Sequence, residues 1–124
     1  MLEVKFYQDE NGNSPVADYL NELDLKAPTD KNSRVRLGKI LRYISLLEVY
    51  GSRAGLPAMK HIVDDIWELR PMNDRFFYVY WKDNTFIILH YFTKKSKKIP
   101  PLEIEQTKRN LKDFLERSEQ NDSQ

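Results

Sequence analysis

The stretch Ile66-Trp67-Glu68-Leu69-Arg70-Pro71-Met72-Asn73-Asp74-Arg75-Phe76-Phe77-Tyr78-Val79-Tyr80-Trp81-Lys82-Asp83-Asn84-Thr85-Phe86-Ile87-Ile88-Leu89-His90-Tyr91-Phe92 decides the fold. Three runs rich in β-branched and aromatic residues, 66–71, 75–81 and 86–92, are separated by Met72-Asn73-Asp74 and Lys82-Asp83-Asn84. Connections this short make antiparallel hairpins. In the first run Trp67 and Leu69 share one face and Glu68 and Arg70 the other, because side chains alternate along a strand. Helices are expected over the apolar pair, which leaves Glu68 and Arg70 on an open face. Such a pair is either a surface ion pair of little worth or an orienting contact that aims the Arg70 fork at a phosphate.

Downstream, Thr93-Lys94-Lys95-Ser96-Lys97-Lys98-Ile99-Pro100 places four ammonium groups within five residues at the end of a packed strand. Arg70 and Arg75 come from neighbouring strand ends. Cations converging from adjacent strands point to a phosphate-handling site. The bland alternative is that the lysines only keep the protein soluble. A helix is expected over 102–117, with Ile104, Leu111, Phe114 and Leu115 apolar, then a frayed polar tail at 119–124.

Upstream, Leu2, Val4 and Phe6 alternate as a strand. Ser14 and Pro15 open a helix carrying Val16, Tyr19, Leu20 and Leu23. Thr29 or Asp30 caps a second helix with Leu37, Ile40, Leu41, Ile44 and Leu47 as its stripe, and Gly51 stops it. Lys31, Arg34, Arg36, Lys39 and Arg42 lie mostly off that stripe, as a solvated surface or as a face for RNA. Lys60-His61-Ile62 reads as a further short strand. The fold class is therefore α+β: one compact domain over 1–118, a mostly antiparallel sheet, helices packed on one face, and the order β-α-α-β-β-β-α.

The 124 residues suffice for one domain with its own core. There is no cysteine, which excludes disulfides and thiolate metal sites and fits a cytoplasmic location. The N-terminus does not read as a signal peptide, and no apolar window is long enough to span a membrane. Net charge is +1, but residues 31–98 hold 14 of the 20 Lys and Arg against 6 of the 19 Asp and Glu. The near-neutrality thus hides a basic centre between acidic ends, an arrangement that either suits an anion on one face or is the chance imbalance common in small proteins. With two histidines and no carboxylate pair at ligand spacing beside them, no metal site or other cofactor is expected, and no phosphate-binding glycine loop occurs. His90 is either a cleft-lining residue or a general base. The remaining toolkit suits RNA, whose 2′-OH is an internal nucleophile.

Gly51-Ser52-Arg53-Ala54-Gly55-Leu56-Pro57 with Lys60-His61, then Ile66-Trp67-Glu68-Leu69-Arg70, Arg75, and His90-Tyr91-Phe92 with Lys94-Lys95-Ser96-Lys97-Lys98-Ile99-Pro100, resemble the RelE/HigB superfamily, and within it the phage-derived HigB-like branch. The resemblance implies a RelE-like fold and a type II toxin that enters the ribosomal A site and cleaves mRNA. It implies a helix-turn-helix, HigA-like antitoxin as partner, with DNA reached only through that antitoxin and no membrane contact. The family's transition-state arginine falls on Arg70 and its basic residues after the last strand on Lys94 and Lys95. Lys60 matches a residue facing the RNA; Arg75, Lys97, Lys98, Arg34 and Lys39 complete the expected RNA-binding set. The family's C-terminal tyrosine or histidine has no counterpart after Phe92, so Tyr91, His90, Lys94 and Glu68 stand as candidate bases. A non-catalytic RNA- or antitoxin-binding protein on the same fold is the alternative.

Overall fold

The computed structural model describes residues 2–55 and 57–122. Its elements are β1 (Glu3–Phe6), α1 (Pro15–Lys26), α2 (Lys31–Tyr50), a 3-10 turn (Gly51–Ala54), β2 (Met59–Val63), β3 (Ile66–Leu69), β4 (Asp74–Tyr80), β5 (Thr85–Thr93) and α3 (Pro101–Asp122). Local chemistry sets the boundaries. Ser14 Oγ accepts from the Ala17 amide at the start of α1, and Asp30 caps α2 through the Asn32 amide. Gly51 ends α2 at φ +59 against Leu2 and Phe86, where a Cβ would meet Leu2 at 3.3 Å. Asp83 and Asn84 both take positive φ in the β4–β5 turn, which the Thr85 amide closes on Lys82 O at 3.0 Å.

The five strands lie in the order β1-β5-β4-β3-β2, with β1 parallel to β5 and every other pair antiparallel. The fold class expected from the sequence holds, and Lys60-His61-Ile62 belongs to β2, so four strands rather than three follow α2.

The helices do not share one face. α1 and α2 cover Leu69, Phe76, Tyr78, Phe86 and Ile88. On the opposite face Ile104, Leu111 and Phe114 of α3 pack over Phe77, Val79, Ile87 and Leu89. The cause is visible in β4 and β5, which are apolar on both faces and cannot leave either in water. Leu41 and Leu115, expected inside, are exposed. α3 also continues through 119–122, since nothing in Ser118-Glu119-Gln120-Asn121-Asp122 stops a helix; 123–124 of the expected tail lie outside the described residues.

One irregularity matters for the site. Phe77 pairs with His90 but Tyr78 pairs with Ile88, so Leu89 is an extra residue in β5. Strict alternation from Ile88 would put His90 under α1 and Tyr91 on the α3 side. The bulge exchanges them.

Candidate functional site

Because β3 and β5 end where β4 begins, one end of the sheet collects Arg70, Arg75 and the chain from Thr93 onward; the Lys94 amide donates to Asn73 O there at 2.7 Å. Across the α3-side face the register aligns Lys60, Glu68, Phe77 and His90 in one row over four strands. Glu68 and Arg70 thus lie on the face that α3 shares.

Glu68 is 3% exposed and lies between two guanidinium groups: Arg70 Nε is 3.4 Å from Oε1 and Arg75 Nε is 3.9 Å from Oε2. Glu68 Oε2, Arg70 Nε and Arg75 Nε are all buried with no hydrogen-bond partner. Burial pushes the Glu68 carboxyl above its ordinary range, against the pull of Arg75, Arg70, Lys94 and Lys60. Burial likewise lowers Arg75, against Glu68. Buried charges that meet only at such long distances are an expensive arrangement.

The two arginines differ. Arg75 is 10% exposed and its Nη1 donates to Met72 O at 2.9 Å and Asp74 O at 2.8 Å, so it braces the β3–β4 turn. Arg70 is 28% exposed, and among the described residues no acceptor takes its terminal nitrogens. Arg70 lies with its Nε edge 3.4 Å from Glu68, an ion pair without a hydrogen bond.

His90 stacks on Phe77 and its Nε2 donates to Glu103 Oε2 of α3 at 3.1 Å. Its Nδ1 has no protein partner among the described residues. Tyr91 is on the other face, stacked on Tyr19 with centroids 4.4 Å apart, and burial raises its hydroxyl. The fold therefore does not bring Tyr91 to the Glu68 row.

Lys94 is half-buried with Nζ on Lys97 O at 2.9 Å, while Lys95, Lys97 and Lys98 are exposed along a bend. Lys60 is exposed opposite Glu68. Arg34 bonds Ala27 O at the end of α1. Lys39 lies with Nζ 5.5 Å from the Tyr43 ring centroid and lines a shallow, open hollow of about 420 Å³ together with Tyr43, Pro57, Arg70, Met72 and Arg75. A hollow of about 550 Å³ by Phe6, Trp81, Phe114 and Arg117 gathers none of the expected residues.

Sequence reasoning missed Glu103, Tyr43 and Met72. Glu103 comes from a helix expected on the other side of the sheet. Tyr43 looks like an ordinary helix residue, and only the cavity distinguishes it.

These features define a small α+β domain with basic side chains gathered at one end of its sheet. The chain belongs to the phage-derived protein Gp49-like family (DUF891), whose model matches residues 18–112. Two solved structures of the YoeB–YefM complex from Staphylococcus aureus, one a heterotetrameric toxin–antitoxin assembly, are similar at 16% and 17% identity. Each alignment covers 71% of this chain and 91% of that chain, with a TM-score of 0.45. No curated protein matches.

Proposed function

We propose that this chain is the toxin of a type II toxin–antitoxin module, of the HigB-like branch, and a ribosome-dependent mRNA endoribonuclease acting in the cytoplasm. No helix among the described residues is long and apolar enough to cross a membrane. The observation that carries the reading is Arg70: its Nε lies 3.4 Å from buried Glu68, beside Arg75, Lys60 and Lys94, and among the described residues nothing accepts from its terminal nitrogens. That is a preorganised donor aimed where a phosphorane's charge develops.

In this reading the 2′-oxygen of the RNA bonds to phosphorus as the bond to the 5′-oxygen breaks. The products are a 2′,3′-cyclic phosphate and a 5′-hydroxyl. His90 takes the 2′-OH proton on Nδ1, its tautomer fixed by Glu103 on Nε2. Lys94 and Lys95 neutralise charge at the phosphate, and Lys94 returns a proton to the leaving oxygen. Glu68 positions Arg70 and does not touch the RNA. Tyr91 has no part in the reaction. Lys97, Lys98 and the basic side of α2, including Arg34 and Lys39, rest on RNA backbone.

Positioning contributes most when the RNA is held in line, which free RNA rarely is. The purified protein is therefore expected to cleave mRNA on translating ribosomes and leave the same free transcript intact. Induced alone it should arrest growth, and a helix-turn-helix antitoxin should relieve the arrest. Equal cleavage of both substrates would make it a general ribonuclease. Binding to ribosomes without cleavage would leave a non-catalytic RNA-binding protein on the same fold.

A further inference from the structure

We infer that the cavity lined by Lys39, Tyr43, Pro57, Arg70, Met72 and Arg75 is a nucleotide subsite, taking one base of the RNA and the phosphate attached to it. The inference rests on the reading of this sheet end as an RNA site and specifies where one nucleotide sits.

The lining is of two kinds. Tyr43, Pro57 and Met72 supply apolar walls, and Lys39, Arg70 and Arg75 supply cations. A site for phosphate alone has no use for the first kind, and a site for an apolar ligand has no use for the second. A nucleotide needs both, a π-face against apolar side chains and a phosphate against a guanidinium.

Three further observations support a built site. Met72 is held at φ +56 and 48% exposed, an uncommon backbone state for a non-glycine residue. Arg75 Nη1 bonds the Met72 carbonyl at 2.9 Å, so a cation of the site itself braces the Met72 backbone. The same two arginines flank Glu68 and line the hollow, which ties the subsite to the Glu68 cluster. A base seated against Tyr43 and Met72 would place its phosphate on Arg70.

The test is a nuclear magnetic resonance titration of the intact protein with inorganic phosphate, a nucleoside, and a nucleoside 3′,5′-bisphosphate. The bisphosphate is expected to shift the Tyr43 ring and Met72 methyl signals and to bind about 5- to 150-fold tighter than phosphate, the equivalent of one stacked base. Tyr43→Ala should bring the bisphosphate down to the affinity of phosphate, whereas Tyr43→Phe should keep most of the difference. Equal affinities for phosphate and bisphosphate in the parent protein, or no binding of the bisphosphate in the millimolar range, would overturn the subsite. Neither result touches ribosome-dependent cleavage, which is measured separately. Conversely, tight Tyr43-dependent bisphosphate binding by a protein that cuts nothing on ribosomes would keep the subsite and remove the nuclease.

Discussion

Arg36 Nη1 of α2 lies 3.0 Å from Oδ2 of Asp74, a carboxylate with no solvent exposure at the first position of β4. The same carboxylate accepts from Tyr19 of α1 at 2.8 Å and from Thr93 at the end of β5 at 2.6 Å. Arg36 also bonds Asn73 Oδ1 at 2.9 Å, and Asn73 O accepts from the Lys94 amide. One buried acid thus ties both helices of one layer to the sheet end that carries Arg75 and Lys94. Its hold on Tyr19 is firm, with burial and the acid's hydrogen bond pushing that hydroxyl up to about 12.

Asp74→Ala should therefore be among the most damaging single changes. It removes the shared acceptor of three donors and leaves a partly buried guanidinium uncompensated, a loss of about 3 kcal/mol. Urea unfolding of the variant against the parent measures it. A loss below about 1 kcal/mol would mean that water satisfies the three donors after all.

Arg70→Ala should lower ribosome-dependent cleavage by about 10²–10³-fold while far-ultraviolet circular dichroism stays unchanged. Arg70→Lys should not restore the rate, because an ammonium cannot keep a contact on Glu68 and offer a fork to the phosphate at once. Cleavage at the parental rate by either variant removes Arg70 from the reaction.

The strands, their hairpins and the apolar side of each early helix were legible in the sequence because they rest on local periodicity and turn chemistry. Trp67 and Leu69 face α1 and α2 as alternation requires. Two things were not legible. The placement of α3 depends on β4 and β5 being buried on both faces, and a continuous apolar run such as 86–89 carries no information on which helix covers which side. The bulge at Leu89 is worse for a reader of sequence, since one extra residue inverts every later side chain and has no signature among Ile, Leu and aromatic residues. Hence Tyr91 and His90 looked equivalent as bases, and only the fold separates them. The convergence of Arg70, Arg75 and Lys94, by contrast, follows from antiparallel order alone.

Replacing Lys94, Lys95, Lys97 and Lys98 together by Ala should weaken ribosome binding and flatten its dependence on salt, by roughly one unit of slope for each phosphate that is no longer neutralised. Lys95, Lys97 and Lys98 are exposed and free to move onto backbone phosphates, whereas Lys94 is held by the Lys97 carbonyl. An unchanged salt slope would show that the cluster is solvated and nothing more.

The docking of α3 should fail at both ends of the pH scale. Tyr7 donates to Asp113 Oδ2 at 2.6 Å, and Arg117 Nη2 reaches the same oxygen at 2.8 Å. Arg117 first and Tyr7 second lower the Asp113 carboxyl below its ordinary 3.8, so the tie is complete above that value and lost as pH falls through the lowered one. Burial and Asp113 push the Tyr7 hydroxyl from 10.0 up to about 12, so its contribution is complete below 10.0 and lost as pH rises through about 12. Amide exchange should find α3 opening first at each extreme, and Asp113→Asn should abolish the acid limb. Uniform exchange across the helices under acid would contradict this.

Glu68→Gln should separate function from stability. Burial raises the Glu68 carboxyl, so folding works against its ionisation. The sign follows: protonation of Glu68 stabilises the fold below the ordinary carboxylate pKa, and that advantage is lost as pH rises through the raised value. Once ionised, the group is a burden that long contacts of 3.4 and 3.9 Å to Arg70 and Arg75 do not offset. Glutamine has the same shape and mimics the protonated acid. The variant should unfold at the same urea concentration as the parent or a higher one at pH 7, with the difference vanishing near pH 4. Cleavage should fall nonetheless, because Arg70 loses the charge that fixes its Nε edge. Removal of one partner from a stabilising buried pair costs about 3–5 kcal/mol. A loss of that size in Glu68→Gln at pH 7 would show that the carboxylate is there to hold the fold, and that the orientation of Arg70 is a by-product.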